Sequence, residues 1–159
     1  NNFTRRHSGM KDALRTLANF RLEQAQESLE AAQILFDSEK YRPSVNRAYY
    51  AMFYSVLALL ALEGKGSSKH SGIISQFDRL YIKNGVFEKE TSKWLHEAFD
   101  LRQRSDYQEM FLITPERARR VLENAATFIK TIRSEILKPD SSSGMSASKG
   151  CTPSKAREE

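Results

Sequence analysis

From Pro43 to Gly64 the chain reads PSVNRAYYAMFYSVLALLALEG, apolar almost all the way round a helix, with Asn46, Arg47, Tyr50 and Tyr54 crowded near its start. A helix that is apolar on every face has to be surrounded by other helices or by lipid, and polar groups within it are costly unless something pairs with them. The uninterrupted part, Ala48 to Leu62, is about 15 residues long and broken by Ser55. That is short of the ~20 residues a bilayer requires. The pattern predicts the central helix of a core, carrying a polar spot, and no membrane span.

Four further segments have the helical period. Leu22, Ala25, Leu29, Ala32 and Phe36 recur at spacings of three and four, with charges between them, and predict a helix from about Lys11 to Ser38. Lys40-Tyr41-Arg42 is assigned to the turn, Pro43 suits a first helical turn, and Gly64 suits a left-handed cap. After the loop Gly64 to Ser68, a third helix carries Ile73, Ile74, Phe77, Leu80 and Tyr81 and ends at Lys83-Asn84-Gly85. A fourth, about Lys89 to Ser105, aligns Leu95, Ala98, Phe99 and Arg102. A fifth follows the N-cap signal Thr114-Pro115-Glu116. No strand and no repeat is legible. The expected fold is all-α, an antiparallel up-and-down bundle of four to five helices over residues 10–138.

Composition trims the ends. From Pro139 the sequence PDSSSGMSASKGCTPSKAREE has almost no large apolar side chain and is expected to be a disordered tail over 139–159. Residues 1–9, NNFTRRHSG, show no period and are expected to be disordered or a remnant of expression, with Met10 as the natural start. The formal charge of +5 shrinks accordingly, since Arg5 and Arg6 hold two units and the tail one. Only about +2 stays on the bundle, so charge alone gives little reason to expect a polyanion. The single cysteine, Cys151, excludes an internal disulfide and a multi-cysteine zinc site, which fits a reducing cytoplasm. No signal peptide is legible.

Arg102 is the sharpest anomaly. It follows Leu95, Ala98 and Phe99 on one apolar stripe, so its guanidinium points towards the bundle and requires an acidic or phosphate partner. Asp106, four residues on, is one such partner; a ligand held in a cleft with the start of the second helix is the other. Asn46, Arg47 and Tyr50 lie within a turn of one another, and Tyr54 extends the row. They suit a ligand cleft, a satisfied core or a dimer seam. His70 opens the third helix and either caps or packs; His96 is expected in solvent beside Lys93 and Glu97. No metal site, cofactor, phosphate-binding glycine loop or nucleophile elbow is expected from these spacings.

Asn46-Arg47-Ala48-Tyr49-Tyr50-Ala51-Met52-Phe53-Tyr54, Lys69-His70-Ser71-Gly72, Phe77 and Arg102-Gln103-Arg104-Ser105-Asp106-Tyr107 resemble the HEPN domain (higher eukaryotes and prokaryotes nucleotide-binding) of small stand-alone prokaryotic proteins, over about Leu14 to Ile136. The resemblance implies a helical bundle, a homodimer and a minimal nucleotidyltransferase partner. It also implies, for many members, metal-independent RNA cleavage by an R-x4-6-H motif shared between two protomers. Here Arg102 matches the arginine, Tyr107 stands five residues later, and no histidine follows. Histidine exchanges protons near neutrality and tyrosine, with a pKa of about 10, does not. His70 is the one available substitute.

The leading expectation is therefore a non-catalytic dimeric module, with no catalytic residue assigned, that binds nucleotide or RNA and/or a nucleotidyltransferase. Arg102 would neutralise phosphate, Tyr107 would stack or hydrogen-bond, and Asp106, Asn46, Arg47, Tyr50 and His70 would line the cleft. The alternatives are a ribonuclease toxin of a toxin–antitoxin pair and a purely structural scaffold.

Overall fold

The computed structural model describes residues 2–139, and the expected tail beyond Pro139 lies outside them. Five α-helices follow one another, α1 (Asn2–Asp37), α2 (Tyr41–Leu62), α3 (His70–Phe77), α4 (Lys89–Tyr107) and α5 (Pro115–Ile136), with no strand among the described residues. α2 is the axis. It packs against α1 along most of its length and also touches α3, α4 and α5, so its all-round apolar surface is enclosed by protein. Tyr41–Leu62 is long and apolar enough to cross a membrane, but two thirds of its most apolar stretch is buried against the other helices.

The connections follow from local chemistry. α1 turns into α2 through Ser38 to Lys40, where the Lys40 amide donates to the Leu35 carbonyl and Glu39 takes a left-handed φ of 60°. The turn is thus two residues earlier than the sequence suggests. Tyr41 and Arg42 are already helical, and Pro43 sits in the first turn, where a missing amide hydrogen costs nothing. Gly64 closes α2 with φ 63° and the Lys65 amide on the Leu60 carbonyl, the cap its sequence indicated. Thr114 caps α5 by accepting from the Arg117 amide at 3.2 Å.

Two features depart from the sequence pattern. α1 begins at Asn2, so residues expected to be irregular are helical; Phe3 to Ala13 are all exposed, which is why they carry no buried period. The third helix is α-helical only to Phe77 and continues as a π-helical turn, Asp78–Ile82.

Two buried serine hydroxyls are matched inside the core. Ser44 donates to the Ala32 carbonyl and Ser55 to that of Met52, each at 2.7 Å, which removes the cost of burying a hydroxyl. Phe77 is fully buried and meets Tyr81, Phe87 and Phe128 at ring separations of 6.0, 5.9 and 5.6 Å. It anchors the short α3 to α5. Phe77→Ala is expected to lower stability by about 3–5 kcal/mol, the usual cost of an aromatic cavity, measured by urea unfolding.

Candidate functional site

The first turns of α2, the first residue of α3 and the last turns of α4 meet at one side of the bundle. α2 supplies Asn46, Arg47, Tyr49, Tyr50 and Phe53, α3 supplies His70, and α4 supplies Arg102 and Asp106. The loop before α3 fixes where His70 stands. Ser67 Oγ accepts from the Lys69 amide at 3.2 Å. A Cβ on Gly72 would collide with that hydroxyl and lie 2.9 Å from the Ser67 Cβ, so a glycine is what allows the first turn of α3 to lie against the loop.

His70 is the hub. Its ring stacks on Phe53 at 4.1 Å and 19°. Its Nδ1 lies 2.9 Å from Tyr49 Oη and 3.3 Å from Arg102 Nη1. A guanidinium can only donate, so Nδ1 is an acceptor and the ring hydrogen sits on Nε2. Nε2 has no partner among the described residues and is not among the buried polar atoms left unpaired, so it remains open to solvent.

The electrostatics hold that arrangement. The Tyr49 phenol is pushed well above its ordinary value of 10.0 by burial, partly opposed by Arg102, and stays a donor. Burial first and the Arg102 charge second pull His70 below its ordinary value of 6.5, which favours the neutral ring. Arg102 also lies over the rings of Tyr50 and Tyr49, at 5.0 and 5.4 Å, and Arg47 lies 4.8 Å over Tyr50. Two guanidiniums thus share one aromatic ring. Asp106 Oδ2 is 3.4 Å from Arg102 Nε, yet Nε is buried without a hydrogen bond. The carboxylate is 42% exposed, so this contact is a loose, solvent-screened pair. The cluster therefore offers donors and two positive charges, with one half-exposed carboxylate at its edge.

Of the residues singled out in the sequence, Arg102, His70, Tyr50, Arg47 and Asp106 come together. Asn46 is tied to its neighbour, accepting from Arg47 Nη2 at 3.1 Å, and so orients that guanidinium. Tyr54 continues the row, 5.9 Å from Tyr50. Tyr107 does not join them. It lies five residues past Arg102, beyond a quarter-turn around α4, and is 83% exposed. His96, expected in solvent, is bonded to Asp78 at 2.6 Å, with Ser92 on the other oxygen of that carboxylate at 2.6 Å. This ties the π-helical turn to α4. Tyr49 escaped the sequence reading because it counted as apolar. The signal was present, since a tyrosine deep in an apolar helix has to find a partner for its hydroxyl.

A groove of about 610 Å³ lies elsewhere, at the far end of α2, where Lys11, Arg15 and Lys138 meet Asp12, Glu63 and Glu135. Its three cations and three acids balance, whereas Arg47 and Arg102 outnumber Asp106 at the start of α2. Among the described residues no three of His, Cys, Asp and Glu are grouped to hold a metal ion.

Residues 18–135 match the family model of the HEPN domain. A UPF0332 protein of Thermotoga maritima is 37% identical over 108 residues, 68% of this chain and 82% of that protein. Two proteins of Methanocaldococcus jannaschii bear the names "Putative toxin MJ0142" and "Putative toxin MJ0605". They are 34% and 35% identical, over 73% and 70% of this chain and 79% and 83% of their own lengths.

Because folding lowers the proton affinity of His70, the unfolded chain binds the extra proton more readily. Its neutral ring adds stability that is fully present above about pH 6.5 and is lost as pH falls from there through the folded value. Tm should drop between pH 7.5 and 5, and His70→Gln, which cannot titrate, should flatten that drop in a thermal melt series.

Proposed function

The chain belongs to the HEPN domain family, and from that premise we propose that it is a non-catalytic binding module that takes a phosphate group of a nucleotide or of RNA. The observation that carries this reading is the state of Arg102. Its guanidinium lies over two tyrosine rings, its Nη2 has no hydrogen-bond partner among the described residues and is not buried, and its acidic neighbour is loosely held. A phosphate oxygen suits that open nitrogen, while the buried Nε stays out of reach. His70 adds an Nε2–H donor, Arg47 a second charge, and Tyr50 and Tyr54 offer ring faces for a base.

The groups named here come from one chain, and the dimer and the nucleotidyltransferase partner are those the family resemblance implies.

RNA cleavage is a second reading, favoured by the toxin names of the two archaeal relatives. A histidine base would have to present a lone pair to the 2′-hydroxyl. Arg102 approaches Nδ1 as a donor and thereby favours hydrogen on the solvent-accessible Nε2. His70 in this state donates and does not accept, which favours binding over catalysis.

The two readings separate experimentally. Adenosine monophosphate and an unstructured 12-nucleotide RNA should bind the wild type and bind Arg102→Ala roughly 10- to 100-fold less well, the scale of a lost charge-assisted hydrogen bond of about 1.5–3 kcal/mol. Equal affinity for the variant removes Arg102 from the site. RNA incubated with the protein in EDTA should remain intact; cleavage lost in both Arg102→Ala and His70→Gln would establish the second reading instead.

A further inference from the structure

The opposite face of α4 carries a second cationic cleft. Arg104 is two residues past Arg102, about 200° further round the helix. It faces the first turns of α5, where Arg117 and Arg120 project from successive turns. Together with Glu97, Asp100 and Leu101 they border a small cleft of about 140 Å³. Arg104 is paired with Asp100 at 3.5 Å. Arg117 and Arg120 form no ion pair with any described residue, and Glu97 is the one remaining acid on the rim.

Tyr107 belongs to this face. It lies three residues past Arg104, one helical turn on, and ends α4. Its ring is 83% exposed, with no stacking partner among the described residues. The chain then passes through Met110, held at a left-handed φ of 63°. Arg42 fixes this corner from α2 by donating to the Phe111 carbonyl at 2.5 Å. An anchored corner with an unstacked aromatic ring one helical turn past Arg104, which borders the cleft of Arg117 and Arg120, has the two features by which proteins hold a nucleic-acid strand, a ring for a base and cations for phosphate.

We propose that the corner between α4 and α5, with Tyr107 and the guanidiniums of Arg104, Arg117 and Arg120, is a second subsite for the same ligand, and that this ligand is single-stranded RNA. The inference rests on the reading of the Arg102 cleft as a phosphate site. It adds that the strand crosses the end of α4, with one phosphate at Arg102 and later ones at Arg117 and Arg120. It also selects unpaired RNA, because a base must leave its neighbours to lie on Tyr107.

The test compares adenosine monophosphate, which fills only the Arg102 cleft, with the 12-nucleotide RNA and a blunt 12-base-pair RNA duplex. For Arg117→Gln/Arg120→Gln the slope of log affinity against log salt for the 12-mer should become shallower by about 1.4. This corresponds to two lost phosphate contacts at about 0.7 each. Affinity for the 12-mer should fall at least tenfold and mononucleotide binding should not change. Tyr107→Ala should weaken the 12-mer about tenfold and Tyr107→Phe should not. The charge-matched control Lys11→Gln/Arg15→Gln, at the far end of the bundle, should bind the 12-mer like the wild type.

Unchanged 12-mer binding in Arg117→Gln/Arg120→Gln, an equal loss in the control, or a duplex that binds as tightly as the single strand overturns the subsite and leaves the Arg102 cleft standing. A wild type that binds neither mononucleotide nor RNA overturns both.

Discussion

The contact among Tyr49 Oη, His70 Nδ1 and Arg102 Nη1 is what the rest of the site depends on. α2 is too apolar to leave exposed and carries a tyrosine hydroxyl too deep to leave unpaired, so its partners must bring a polar atom to that depth. α3 does so with its first residue and α4 with its penultimate turn. The short loop with Ser67 against Gly72 and the anchoring of Phe77 make this possible by fixing both ends of α3. The packing of the bundle and the geometry of the cleft are therefore one constraint, satisfied once.

That contact also sets the chemistry. An arginine is an obligate donor, so its approach to Nδ1 decides which histidine nitrogen carries hydrogen and leaves a donor facing outward. Burial and the same guanidinium keep the ring neutral. Arg102 in turn gives up ordinary solvation for ring faces and one half-exposed carboxylate 3.4 Å away. A site assembled this way has donors in excess of acceptors.

Around α4 the two faces differ in how their cations are held. On one, Arg102 is inserted among aromatic rings and its direction is fixed. On the other, Arg104, Arg117 and Arg120 border an open cleft at the surface. The difference comes from the helical period, which sends residues two apart to opposite sides of one helix.

The sequence by itself determined the all-α architecture, the central place of α2, the caps at Gly64 and Thr114, and Arg102 as the odd residue on an apolar stripe. Each of these is a periodic or local property, carried within a few residues of chain. The start of α1 was not legible, because Phe3 to Ala13 bury nothing and leave no period to read. Nor was the π-helical turn, whose apolar positions fit an ordinary helix. Only the tertiary structure decided that His70 meets Arg102, 32 residues away, that Tyr49 joins them, that His96 is bonded to Asp78, and that Tyr107 faces away from the cleft. Those choices turn on how far each helix is rotated against its neighbours. That rotation is set by the packing of all five at once and is written in no single segment.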